Sequence, residues 1–192
     1  MTDKIPLKDL KLKCEPVLIP HTMIWGGKVS PEFREAMWSG CRELCLEPDP
    51  IMACIAFETG KTFSPNVKNI AGSGATGLIQ FMPDTARFLG TSIEELEHMT
   101  AEQQLVYVFK HFKPYADRLV LIEDYYMTIL MPSKIGKPLD DVLFRQDYYN
   151  RKNLKAYIQN KGLDKNFDGK ITKAEAAYPV RECFEAGKRW IK

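Results

Sequence analysis

"DPIMACIAFETG", residues 49–60, is the stretch on which the reading of the fold turns. Asp49 suits a helix cap, Pro50 the first helical position, and Gly60 a helix stop. With a helix between them, Ile51, Cys54, Ile55 and Glu58 recur at i, i+3, i+4 and i+7 and share one face. Three of the four are apolar, so Glu58 is predicted to be a carboxylic acid on a core-facing side, at the helix C-terminus. Burial and the negative end of the helix dipole both disfavour its charged form. An acid that keeps its proton near neutral pH can serve as the general acid in glycoside cleavage. The plainer alternative is a terminal glutamate rotated out into water.

Working outward, helix signals dominate. Ser30-Pro31 is another cap followed by Pro, after which Phe33, Met37, Cys41 and Leu44 recur at helix spacing. Pro83 opens a helix predicted to run to Gly90, and Ser92 with Glu95 and Thr100 with Gln103 are capping boxes. Leu105, Val108, Phe109 and Phe112 form a stripe, residues 115–131 read as helix up to Pro132, and residues 173–190 close the chain. No sustained period-two run marks a strand. The fold class is therefore mainly α. Residues 1–28, with Pro6, Pro16, Pro20 and Gly26-Gly27, read as an irregular segment packing on one domain of residues 29–192.

Composition narrows the function. A net charge of +2 gives no argument for nucleic-acid binding, and no apolar run approaches the roughly 18 residues of a membrane span. The charged N-terminus "MTDKIPLKDLKLKCEP" has no apolar core of a signal peptide, so synthesis in a bacterial (host) cytoplasm is expected. Cysteines 14, 41, 45, 54 and 183 have no paired spacing and read as free thiols. Cys41 and Cys45, one turn apart, are either buried thiols or a ligand pair, and the lack of a nearby His favours thiols.

Beyond Glu58-Thr59 the chain carries "GATGLIQFMPDTA" at residues 74–86, and "DYYMTILMPSKIGK" at residues 124–137. Together these resemble the lysozyme-like lytic transglycosylases of the soluble (SLT) type, above all their phage endolysins, over roughly residues 45–140. The resemblance implies a goose-type or SLT-like helical domain with a substrate cleft. It implies a monomer acting on peptidoglycan glycan strands in the periplasm, with no cofactor for catalysis. By this resemblance Glu58 is the single acid/base. It would protonate the glycosidic oxygen between N-acetylmuramic acid and N-acetylglucosamine, then take the proton of the muramoyl 6-hydroxyl as that oxygen attacks C1. The product is a 1,6-anhydro sugar. A hydrolytic muramidase using the same glutamate, and a non-catalytic calcium-binding virion or wall-binding module, are the alternatives.

The resemblance also implies sugar contacts at Thr59, Asn69, Gly77, Gln80, Met82, Tyr125 and Tyr126. Small residues at 72–77 would let the backbone approach N-acetyl groups. Gln80 offers a donor and an acceptor to the sugar, or else satisfies loop backbone. Met82 lies on an apolar sugar face or packs in the core. Tyr126, more than Tyr125, matches the family tyrosine, or is a packed helix residue. Many relatives place a serine two or three residues before the Gly-Ala step to orient the glutamate. Here Ala71 and Gly72 stand there, with Ser73 next to Gly74, which leaves Thr59 or Asn69 for that task.

A second motif is independent of the first. "DKNFDGKITKAE", residues 164–175, follows the twelve-residue EF-hand loop. Asp164, Asn166 and Asp168 occupy positions 1, 3 and 5, Gly169 the turn, Lys170 the carbonyl position, Thr172 position 9 and Glu175 the bidentate position. A capping box of Thr172 and Glu175 explains only two of these residues. One structural Ca²⁺ tying the last helix to the domain is the expectation.

Overall fold

The computed structural model describes residues 22–69 and 74–192. Among them are eight α-helices and one two-stranded sheet, so the mainly α reading holds.

Helix α1 (Pro31–Leu44) starts where Ser30 accepts a hydrogen bond from Phe33 N and ends at Cys45, which takes the left-handed conformation. Phe33, Met37 and Cys41 form its buried face. α2 (Pro48–Glu58) begins two residues before the expected start: Glu47 is its cap, and the Asp49 carboxylate instead accepts from Ile24 N at 3.0 Å. Nor is α2 amphipathic. Ile51, Met52, Ala53, Cys54, Ile55 and Ala56 are all buried, so α2 is wrapped on every side and forms the centre of the core.

The wrapping comes from α6 (Ile122–Leu130) and α8 (Lys173–Gly187), with α1 at one end. α5 (Ala101–Phe112) packs on α1, and the mid-helix Gly40 of α1 exists for this approach, since a Cβ there would stand 2.2 Å from the Phe109 ring. The expected caps are in place: α4 (Ile93–His98) starts on the Ser92–Glu95 box and α5 on the Thr100–Gln103 box. α3 (Pro83–Phe88) opens at Pro83 and stops short of Gly90. The helix expected over 115–131 is two pieces, a 3-10 segment Lys113–Arg118 and then α6.

The part missed from sequence is a ribbon: β1 (Val142–Arg145) pairs antiparallel with β2 (Lys170–Thr172), and α7 (Arg151–Asn160) lies between them in the chain. Its strands are too short, and β1 too irregular after a bulge between Val142 and Phe144, to show a period of two. Directly after β2, Lys173 is fully buried. Its ammonium sits 2.5 Å from Asp124 Oδ1 and donates to Lys137 O, while Asp124 also accepts from Gly136 N and Leu121 N. This buried pair fastens the start of α8 to the start of α6.

Met23, Ile24 and Trp25 are core residues, consistent with packing on the domain; residues 1–21 lie outside the described part. The Trp25 indole donates to Cys183 O, and Met23 and Lys192 exchange backbone hydrogen bonds. The free-thiol reading needs one correction. Cys41, Cys54 and Cys183 are free and buried, but Cys45 is disulfide-bonded. Cys14 lies outside the described residues.

Candidate functional site

α2 stops by a Schellman-type turn. Gly60 takes φ 57°, its N–H returns to Phe57 O, and Lys61 N donates to Ala56 O at 2.6 Å. Glu58 is thereby placed on the last turn, half-buried, where no described residue donates a hydrogen bond to its carboxylate. Burial pushes its pKa up from 4.5 to about 8. No neighbouring carboxylate contributes to that shift. The acid is protonated at neutral pH through desolvation.

Thr59 does not orient it. Its hydroxyl donates its one proton to Ile55 O at 2.7 Å and accepts from Phe63 N at 3.1 Å, and the residue is buried. It secures the turn rather than a sugar. Asn69 is exposed, and its backbone N–H pairs with Ala75 O. Ala71, Gly72 and Ser73, around the expected serine position, lie outside the described residues.

The two tyrosines separate. Tyr126 packs edge-on against Phe57, centroids 5.6 Å apart, beside Glu58. Burial pushes its phenol well above the usual range, and the Glu58 charge adds to the push. Tyr125 faces the other end of α2: its hydroxyl accepts from Glu47 N at 3.2 Å, and its ring packs on Phe112. Glu47 and Glu58 are eleven residues apart, roughly 16 Å along the helix axis, which removes Tyr125 from the surroundings of the acid.

The glycine-rich block forms a tight fold of its own. Thr76 and Phe81 exchange backbone hydrogen bonds, and Gly77 N donates to Val67 O. Gln80 takes φ 52°, and its amide nitrogen donates to both Val67 O and Gly77 O. The bland reading of Gln80 is realised for its donors. Its side-chain oxygen has no partner among the described residues and remains an acceptor. Gly77 is bare for an internal reason: a Cβ there would lie 2.4 Å from Gln104 Oε1. Met82 is 46% exposed, so the packing alternative fails for it and an apolar surface is presented.

Gln104 was not singled out from sequence, yet it ties this block to the helices. Fully buried on α5, it accepts from Leu78 N and donates to Pro65 O and Leu96 O, at 2.7–3.0 Å. The only sequence signal is a polar residue beside Leu105 on the inner stripe. A separate groove of about 470 Å³ lies between α1 and α5, but Glu102 on its wall has its pKa lowered by the Ser30 hydroxyl, the reverse of what a proton donor needs.

In the 164–175 loop, Phe167 and Gly169 take positive φ. Asn166 Oδ1 accepts from Asp168 N, Asp168 Oδ1 from Lys170 N, and Glu175 Oε1 from Lys165 N. Asp164 is buried, and its Oδ2 accepts from the Tyr157 hydroxyl and Gly169 N. Its Oδ1 is buried without a hydrogen-bond partner among the described residues, a position a cation would satisfy. Lys170 and Thr172 lie on β2, and Thr172 and Glu175 form the capping box of α8. Among the described residues no three His, Cys, Asp or Glu side chains gather into a metal-binding group, so Glu175 would have to leave its cap to join Asp164.

No helix among the described residues is long and apolar enough to cross a membrane. Compared with models of known protein families and with curated proteins, the chain matches none.

Proposed function

We propose that this chain is a peptidoglycan lytic transglycosylase, a phage endolysin with a lysozyme-like domain, that cleaves between N-acetylmuramic acid and N-acetylglucosamine with Glu58 as its single acid/base. The observation that carries this reading is a carboxyl held protonated near neutral pH with no second carboxylate influencing it. Two-carboxylate glycosidases need the second group as nucleophile or to activate water. A site with one acid suits a reaction whose nucleophile belongs to the substrate.

The step then balances within sugar and side chain. Glu58 gives its proton to the glycosidic oxygen, the C1–O bond breaks, and the N-acetylglucosamine side leaves as a free 4-hydroxyl. The muramoyl 6-hydroxyl bonds to C1 and returns its proton to Glu58, with no water consumed. Tyr126 supplies a phenol at the acid. The free Gln80 oxygen can accept from an acetamido N–H, and exposed Met82 can lie against a sugar face. The Cys45 disulfide suits a protein that works in an oxidising compartment such as the periplasm.

One Ca²⁺ held by the 164–175 loop completes the proposal, with the unpartnered Asp164 Oδ1 as its support. Asp164, Asn166, Asp168, Glu175, the Lys170 carbonyl and Thr172 would hold it. Its role would be structural, joining α7 to α8. Calcium should raise the melting temperature, and Asp164→Ala should abolish that rise. No heat of binding, and a melting temperature indifferent to chelator, would remove the metal.

The catalytic reading is tested by digesting purified peptidoglycan with the wild type and with Glu58→Gln. Wild-type fragments should end in anhydro sugars, one water lighter than hydrolysis products, and the variant should release almost none. Hydrated reducing ends would identify a muramidase instead. Undiminished cleavage by Glu58→Gln would refute both. Wall binding without cleavage by the wild type would leave a binding module.

A further inference from the structure

One lobe of the molecule carries a charge and an exposure that the site around Glu58 does not use. Residues 145–170 hold seven Lys or Arg against three Asp, a surplus of four in a chain whose total surplus is two. None of these seven cations forms an ion pair among the described residues, although seven ion pairs occur elsewhere. Arg145 and Lys170, both exposed, are direct cross-strand partners on the ribbon. Like charges opposite one another destabilise a strand pair, so this placement needs a reason outside the fold.

Aromatic side chains stand among the cations. Tyr149 is 103% exposed, Phe167 89% and Tyr148 71%. They belong to two adjoining loops at one end of the ribbon, where Gln146 N donates to Gly169 O at 2.8 Å. Phe167 is also at φ 59°, a conformation a phenylalanine adopts at a cost. At that exposure it gains little packing among the described residues to offset the cost. The outer face of α7 continues the pattern with Arg151, Lys155 and the exposed Ile158 at i, i+4 and i+7.

We infer that this end of the β1–β2 ribbon, with the outer face of α7, docks on an anionic phospholipid surface. The rings project as loop tips rather than lining a groove, which fits insertion among headgroups and does not fit cradling a sugar chain. Unpaired Lys and Arg flanking such rings are drawn to anionic lipid. The inference does not rest on glycan cleavage. It gives the protein a second surface, one that holds it at a bilayer and leaves the Glu58 end of α2 to its own substrate.

The test is co-sedimentation of the full chain with vesicles of phosphatidylglycerol and phosphatidylethanolamine, against vesicles of phosphatidylcholine. The wild type should sediment with the anionic vesicles alone, and salt should release it. Tyr149→Ser with Phe167→Asn should weaken partitioning about tenfold for each ring removed. Arg145→Gln with Lys155→Gln should weaken it about fivefold for each charge removed. Asparagine tolerates the left-handed conformation, so Phe167→Asn should melt no lower than the wild type. Both variants should digest purified peptidoglycan as the wild type does, which keeps this outcome separate from that of the proposed enzyme. Absence of binding to anionic vesicles, or equal binding by wild type and both variants, would overturn the inference. So would loss of affinity for isolated glycan strands in these variants with vesicle binding unchanged, which would make the lobe a wall-binding face.

Discussion

Replacing Glu58 by glutamine should stabilise the protein, and the gain should depend on pH in a specified way. Burial raises the Glu58 pKa from 4.5 to about 8. Between those values the folded state holds a proton that the unfolded chain has lost, so this group's contribution to stability falls as pH rises. At pH 7 the unfolded chain is about two and a half decades past its own pKa, worth about 3 kcal/mol at 1.36 kcal/mol per decade. Water reaching the half-buried carboxyl trims this to roughly 2 kcal/mol. Glutamine keeps the shape and never ionises, so it avoids the penalty. For a chain of this size that is a rise in melting temperature of about 4–8 °C at neutral pH. Calorimetry of both proteins should show coincident melting near pH 4, divergence through neutrality and a constant gap above about pH 8. Parallel curves at every pH, or a wild type more stable than the variant at alkaline pH, would refute the claim that Glu58 is desolvated and unpaired. In the wild type, cleavage of wall substrate should stay level through neutral pH and fall above about pH 8 as the same proton is lost.

Gln104→Leu should cost about 3 kcal/mol, because Leu78 N–H and the Pro65 and Leu96 carbonyls lose their buried partner; hydrogen exchange at the Leu78 amide should quicken, and unchanged exchange would contradict the role given to this residue. Lys173→Met should cost about 3–5 kcal/mol by leaving Asp124 charged and buried, and adding Asp124→Asn should restore part of the loss, since Asn can still accept from Gly136 or Leu121. A double variant no more stable than the single one would speak against the pair. In denaturant without reductant, iodoacetamide should modify Cys41, Cys54 and Cys183 and spare Cys45, as read by peptide mass. Alkylation of Cys45 under those conditions would show it to be a free thiol.

Where the information is local, the sequence could be read. Ser30, Ser92 and Thr100 act within one turn of themselves, and each caps the helix expected of it. The position of Glu58 was also legible, but for a reason other than the one argued. The spacing of Ile51, Cys54 and Ile55 suggested one buried face, whereas α2 is buried all round and Glu58 is desolvated because it ends a central helix. Asp49-Pro50 and Pro48 offer rival start signals, and only Ile24, arriving from 25 residues away, takes up Asp49. Tyr125 and Tyr126 are adjacent in sequence and point at opposite ends of α2, a difference set by the crossing of two helices. The ribbon was hidden because its seven residues come from segments separated by a helix. Gln104 resembles any polar residue until its three distant backbone partners are known.

The last helix has a consequence for the order in which the chain folds. α8 supplies the main wall against α2, its first residue neutralises Asp124 on α6, and its far end receives the Trp25 indole across 158 residues of chain. Contacts of such long range are costly to close early. The central apolar helix is therefore synthesised more than a hundred residues before the element that covers it. During that interval it is the segment most in need of shielding from aggregation, and a chain interrupted before residue 173 would expose it permanently. Folding of this domain should be a late, single event that waits for α8 rather than a progressive one.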